Sequence, residues 1–72
     1  MTAQEIALAV EAEREELGMG LFKFKKRSGI TRGAFLRAMN GQGVQFYTVW
    51  AAAEAVGMEI VVRKKEKEDA QK

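Results

Sequence analysis

The sequence predicts a mainly α-helical domain of four helices, followed by a single C-terminal β-strand. Three observations lead to this prediction. Apolar residues recur at spacings of three and four along most of the chain, which is typical of the buried face of a helix. Glycines interrupt these segments where each pattern stops, as they do at helix ends. The pattern changes at Met58, because the β-branched and partly alternating segment 58–63 favours a strand.

The first helix is predicted to begin after Thr2, which can act as its N-cap. Glu5, three residues later, completes a capping box. Gly18 is placed to end the helix, since glycine readily adopts the left-handed conformation found there. The apolar stripe of this helix is expected to face the core and consists of Ala3, Ile6, Val10 and Leu17.

Two short helices are predicted next, over residues 21–28 and 32–39. Gly29 breaks the chain between them, and Thr31 is placed to cap the second one. The loop 40–43 contains two glycines and closes that helix. A helix, a turn that contains glycine and a second helix form a helix-turn-helix arrangement.

The fourth helix is predicted over residues 45–56, with Gly57 directly after it. Its apolar stripe, also expected in the core, consists of Phe46, Val49, Trp50, Ala53 and Val56. The aromatic side chains assigned to the core are Phe24, Phe35, Phe46 and Trp50. The folded domain is thus expected to span residues 1–63, and the charge-rich segment 64–72 is expected to be a flexible tail.

The charges are segregated along the chain, although the formal net charge is only +2. Residues 1–17 contain five acids and one base, whereas residues 18–53 contain six bases and no acid. An all-positive stretch of this kind indicates a polyanionic partner, although a solvated surface without a partner has the same pattern. The six bases are Lys23, Lys25, Lys26, Arg27, Arg32 and Arg37.

The composition excludes several kinds of site. The chain contains neither cysteine nor histidine, so it cannot form disulfides or thiolate and imidazole metal sites. We expect no cofactor and no enzymatic activity, since no converging acid and base residues are evident. The first ten residues lack the basic region of a secretory signal, and no apolar run approaches the ~20 residues of a membrane span. We therefore expect a soluble, cytoplasmic protein without a membrane partner.

The segment LGMGLFKFKKRSGITRGAFLRAMNG and the later FYTVWAAAEAVGMEIVVR together resemble the Cro/Xre-type helix-turn-helix DNA-binding domains, which have a lambda-repressor-like fold. Within that group they look most like the antidote (antitoxin) proteins of addiction modules. The resemblance covers about residues 10–63. The shared features are the turn Gly29-Ile30-Thr31, the following Arg32, the run 36–39, the NGQG loop, the AVG end of helix four and the strand after it.

This resemblance implies that helix 32–39 is a recognition helix set into the major groove, while the preceding helix lies across the phosphate backbone. Thr31, Arg32 and Gly33 fall at the groove-facing start of the recognition helix. Arg32 either pairs with a guanine, contacts a phosphate or is simply solvated. The same alternatives apply to Arg37, further along the helix, for which a phosphate contact is favoured. The residues assigned to phosphate contacts, which position a protein more than they specify a sequence, are Lys23, Lys26 and Arg27.

The predicted strand suggests a dimer. A lone strand leaves unpaired N–H and C=O groups at an exposed edge, and pairing with the same strand of a second copy satisfies them across a two-fold axis. Such a dimer also presents two recognition helices to half-sites roughly 34–36 Å apart. A frayed extension is the alternative for this segment. The dimerisation residues are predicted to be Ile60, Val61 and Val62.

These features together predict a dimeric, sequence-specific transcriptional regulator, a repressor, whose partner is double-stranded DNA. The alternative, which the resemblance suggests, is the antitoxin of a toxin–antitoxin module that also regulates its own promoter. The partner would then include a toxin protein, for which the acidic first helix offers a surface, although a solvated helix face explains the same acids. The presence or absence of a small toxin gene next to this one would distinguish the antitoxin from a regulator without a toxin partner.

Overall fold

The computed structural model describes residues 1–62 and 64 of the 72-residue chain. That part of the chain contains four helices: α1 (Ala3–Glu16), α2 (Leu21–Ser28), α3 (Arg32–Met39) and α4 (Phe46–Ala55). The prediction of a mainly helical domain with four helices is therefore confirmed. The predicted bounds of α2 and α3 agree with the structure, and α4 is shorter by one residue at each end because Gln45 and Val56 are its caps.

Both ends of α1 follow the predicted chemistry. The Thr2 hydroxyl accepts a hydrogen bond from the Glu5 backbone N–H (3.1 Å), and the Glu5 carboxylate accepts one from the Thr2 N–H (2.8 Å). These two bonds form the capping box. Gly18 has the expected positive φ of 68°. Leu17, however, is 53% exposed, so its assignment to the buried stripe was wrong: it caps α1 at the point where the chain turns away from the core.

The hydrophobic core lies where α4 packs against each of the other three helices. Its largest fully buried side chains are Val10 of α1, Phe35 of α3 and Val49 of α4. The Phe24 ring of α2 packs on the Phe35 ring, with centroids 5.1 Å apart. The alanines of α4 allow its backbone to approach these side chains closely, and four of them are buried: Ala51, Ala52, Ala53 and Ala55.

The assignment of Phe46 and Trp50 to the core was also wrong. Phe46 is 59% exposed and Trp50 is 41% exposed, because the buried face of α4 is centred on Val49 and Ala52. The helix is apolar around most of its circumference. Its sequence therefore contains no polar stripe that would fix which side faces the core.

The start of α1 contacts the end of α3 and the turn that follows it. The Gln4 side-chain amide donates a hydrogen bond to the Met39 carbonyl (3.0 Å). Gly41, the residue of the NGQG loop with a positive φ (81°), lies against the same Gln4 side chain. This contact joins elements that are 35 residues apart.

The C-terminal segment packs on the core for only part of its length. The Met58 N–H donates to the Ala53 carbonyl (2.9 Å), and Met58 and Ile60 are half-buried against the core. Val61 and Val62 are exposed. No strand is assigned within the described residues, and Arg63 lies outside them. A single chain does not test pairing between copies, so the strand and the strand-paired dimer stay predictions.

The predicted flexible tail, residues 64–72, lies outside the described residues apart from Lys64, which is exposed.

Candidate nucleic-acid interface

The turn between α2 and α3 is built from three consecutive residues. Gly29 has a φ of 75°, and its N–H donates to the Lys25 carbonyl (2.7 Å) to close α2. The buried Ser28 hydroxyl accepts a hydrogen bond from the Ile30 N–H (3.0 Å), as serine side chains do in tight turns. Ile30 is itself buried. The turn is thus fixed by one backbone–backbone hydrogen bond, by one hydrogen bond from the backbone to the Ser28 side chain, and by the buried Ile30.

The helix after the turn starts at a defined residue. The Thr31 hydroxyl accepts a hydrogen bond from the Ala34 N–H (3.2 Å), which confirms the predicted N-cap of α3. Below the turn, the packed rings of Phe24 and Phe35 join α2 to α3. This ring contact helps to hold α2 and α3 in their relative orientation.

Three of the four basic side chains of α2 lie together on its solvent-exposed side. Lys23, Lys26 and Arg27 are spaced at i, i+3 and i+4, which places them together on one side of a helix, and all three are exposed. Phe24 and Ser28 point into the core. The side chains that the sequence assigned to phosphate contacts therefore share one solvent-facing surface.

The exposed face of α3 carries Gly33, Leu36 and Arg37. Gly33 has no neighbouring heavy atom within 4 Å of where a Cβ would lie, so this side of the helix opens onto solvent. Leu36 is 40% exposed. Gly33 and Arg37 are four residues apart and hence lie above one another on this face.

Arg32 is placed differently from the other predicted contact residues. The resemblance placed it at the groove-facing start of α3, whereas in the structure its side chain turns toward α1. The Arg32 Nη2 atom lies 3.5 Å from Glu11 Oε2, and Nη1 is shielded from solvent with no hydrogen-bond acceptor among the described residues. Its contact with a base or a phosphate stays a prediction, and such a contact requires the guanidinium to leave Glu11.

Glu11 is the centre of the ion-pair network in the described part of the chain. The Arg14 guanidinium donates two hydrogen bonds to its carboxylate, from Nε (2.9 Å) and Nη2 (2.8 Å). Arg14 Nη1 also donates to the Met19 carbonyl (2.6 Å), in the connection between α1 and α2. The hydrogen bonds from Arg14, followed by the contact with Arg32, hold the pKa of Glu11 below its ordinary value of 4.5, and burial opposes them.

Sequence reasoning missed the roles of three residues that shape this site. Glu11 and Arg14 are spaced at i, i+3 on a helix, which is a signal for an ion pair, but nothing in the sequence links Glu11 to Arg32, 21 residues away. Ser28 directly precedes the turn glycine, and this position is a known signal for a side-chain bond to the turn backbone.

The electrostatic character of the site follows from these placements. Five of the six bases between residues 18 and 53 are exposed, and none of the five forms an ion pair with a residue that the structure describes. The sixth is Arg32. The helix-turn-helix unit therefore presents positive charge that its own chain does not neutralise, and such a surface attracts a polyanion.

Comparison with protein-family models, with curated proteins and with solved structures found no match to this chain. None of the helices in the described part of the chain combines the length and the hydrophobicity that a bilayer crossing requires.

Proposed function

We propose that this chain is a dimeric, sequence-specific DNA-binding transcriptional regulator, a repressor, with a lambda-repressor-like fold and a cytoplasmic location. The single observation that carries the proposal is the unneutralised positive charge on a helix-turn-helix unit, described above. In this proposal α3 enters the major groove and α2 lies across the phosphate backbone. Phosphate contacts supply most of the affinity, and residues of α3 supply the base preference.

Arg37 is the best candidate for base or phosphate contact on α3. It is exposed, it lies on the same face as Gly33, and no described acid competes for its guanidinium. Arg32, in contrast, has to break its contact with Glu11 before it can bind anything else. Substitution of Arg37 is therefore a cleaner probe of DNA binding than substitution of Arg32.

The test is fluorescence anisotropy of the purified protein on DNA from upstream of its own gene, with unrelated DNA for comparison, at several salt concentrations. We expect tight, salt-sensitive binding that prefers the upstream DNA. Lys26→Ala should weaken binding to both DNAs equally and reduce the salt slope by about 1. Arg37→Ala should lower affinity and, where it contacts a base, also the preference for upstream DNA.

The matched control for these variants is Lys64→Ala, which removes one exposed positive charge outside the helix-turn-helix unit. It should bind DNA almost as the unaltered protein does. Absence of binding at low salt, or equal losses for Lys26→Ala and Lys64→Ala, would show that the basic surface of α2 does not serve DNA.

A second function, the antitoxin of a toxin–antitoxin module, is supported by exposed acids on α1. Glu15 is 68% exposed on its side chain, and Glu16 is exposed as well. Co-purification of the chain with the product of an adjoining gene, and growth arrest by that product alone, would establish this function in addition to DNA binding.

A further inference from the structure

Three aromatic side chains form an uncovered face on the most buried helix. Phe46, Tyr47 and Trp50 of α4 are 59%, 60% and 41% exposed. They are spaced at i, i+1 and i+4, and the Tyr47 and Trp50 rings are 6.0 Å apart, so they make one continuous ridge. We call it the aromatic face. Large contiguous apolar patches on small soluble domains mark surfaces that meet another molecule.

An apolar groove of about 540 Å³ lies beside this face. It runs between α1, α4 and the C-terminal segment 58–62, and Phe46 belongs both to the groove and to the aromatic face. Val61 and Val62 also line the groove and are 64% and 90% exposed. A ridge and a groove thus adjoin one another on a single surface of the chain.

We propose that the aromatic face and this groove together form the interface between two copies of the chain, with the face of each copy seated in the groove of the other. A contact across a two-fold axis uses the same surface twice and must be self-complementary. An adjoining ridge and groove meet that requirement. The inference rests on the dimeric function proposed above and identifies the surface that makes the dimer.

The area favours an occupant that engages both features. An aromatic side chain contributes roughly 150–250 Å², so three half-exposed rings present on the order of 300 Å². A stable interface needs about 800 Å² from each partner. The aromatic face alone is too small, and the groove with Val61 and Val62 has to contribute the remainder.

Charge favours a second copy over other occupants. Residues 63–72 of the chain itself include eight charged side chains out of ten, and charged groups are costly to place in an apolar groove. Glu54 is the one charged residue of α4, so the aromatic face lacks the cations that DNA requires. Glu59 is the one charged side chain among the residues that line the groove, and it is exposed, so solvent screens the repulsion between the Glu59 side chains of two copies.

The test is sedimentation velocity together with fluorescence emission of Trp50, the single tryptophan of the chain, over a dilution series without DNA. We expect the mass to rise with concentration from 8.0 kDa to twice that value. The Trp50 emission should shift to shorter wavelength over the same concentrations, because association removes water from its ring.

Two matched variants locate the interface. Tyr47→Glu and Phe22→Glu each place a glutamate at the second position of a helix in place of an exposed aromatic side chain. An acid is favourable at that position, so both variants should keep the helical circular dichroism of the unaltered chain. Tyr47→Glu should stay monomeric at concentrations at least tenfold above the midpoint of association, whereas Phe22→Glu should associate normally.

A chain that is monomeric throughout, or a dimer that Tyr47→Glu leaves intact, would overturn this inference. Anisotropy on upstream DNA, measured in parallel, separates it from the proposed function. DNA binding by a persistently monomeric chain would refute the interface and the dimeric part of the proposed function, and would leave DNA binding itself standing. A dimer of the expected behaviour that binds no DNA would refute the DNA-binding proposal and leave the interface standing.

Discussion

Glu11 links the end of α1 to the start of α3 through two arginines. Its side chain is only 16% exposed, and that of Arg14 is 12% exposed, so solvent screens this pair less than an ion pair on the open surface. The side-chain hydrogen bond with Glu11 raises the pKa of Arg14, which keeps the guanidinium charged. The network therefore stabilises the orientation of α1 relative to the helix-turn-helix unit.

The stability of the fold should fall in acid as Glu11 is protonated. Its folded-state pKa is lowered, so its contribution is present above the unfolded-state pKa, near 4.5, and is lost as the pH falls through the lower, folded-state pKa. Glu11→Gln should reduce the free energy of unfolding at neutral pH by about 1–2 kcal/mol and remove this part of the acid dependence. Urea unfolding at a series of pH values measures both effects.

Glu15→Gln is the control for this prediction. Glu15 lies 3.8 Å from Arg14 and is 68% exposed, so its loss should cost at most about 0.5 kcal/mol. Equal costs for the two substitutions would contradict the central role of Glu11.

Gly33 offers a test that separates stability from binding. A methyl group at this position meets no atom, and alanine is a better helix former than glycine, so Gly33→Ala should raise the free energy of unfolding by roughly 0.5 kcal/mol. The same methyl group occupies the surface that we propose enters the groove, so DNA affinity should fall. Thermal unfolding and anisotropy measure the two quantities.

Gly43→Ala is the comparison variant, since a methyl group there also meets no atom and the residue lies outside α3, although it lines the same surface hollow as Arg37. It should lower DNA affinity less than Gly33→Ala does. An unaltered affinity in Gly33→Ala would argue against close approach of this face to the bases.

At the scale of elements, local signals specified the helix ends well. Thr2 with Glu5, Gly18, Gly29 and Thr31 each act through bonds or backbone angles within a few residues of themselves, and those can be predicted from sequence. The rotation of α4 could not be predicted. Because several of its faces are apolar, only the shapes of the other three helices decide which face is buried.

The turn after α3 depends on α1 as well as on its own sequence. Gly41→Ala should incur the strain of a positive φ, about 1–2 kcal/mol, together with the cost of a tight contact, because the new Cβ would lie 3.3 Å from the Gln4 side chain. Gly18→Ala has a similar φ but meets no atom, so it should incur the strain alone. Urea unfolding of both variants isolates the cost of the contact with Gln4, and equal costs would mean that Gln4 simply moves aside.

For the whole molecule, the segregation of charge along the chain could be predicted from the sequence, but the ion pairs that the charged residues form could not. The sequence shows an all-positive segment between two that contain acids, and five of its bases indeed remain without a described partner. The pairing of the sixth, Arg32, with Glu11 depends on how α1 crosses α3. A contact between residues distant in the sequence has no local signal, so this part of the candidate site required the three-dimensional structure.

The central position of α4 has a consequence for the rates at which backbone hydrogens exchange with solvent. Because α4 packs against α1, α2 and α3, its buried amides, such as that of Ala52, should exchange only when the whole domain unfolds. A ligand that binds the folded chain alone reduces the unfolded population by a factor of 1 + [L]/Kd. Exchange at the Ala52 amide should therefore slow by that factor when DNA binds. The exchange rate of a buried amide would thus measure how much DNA is bound at the surface of the domain.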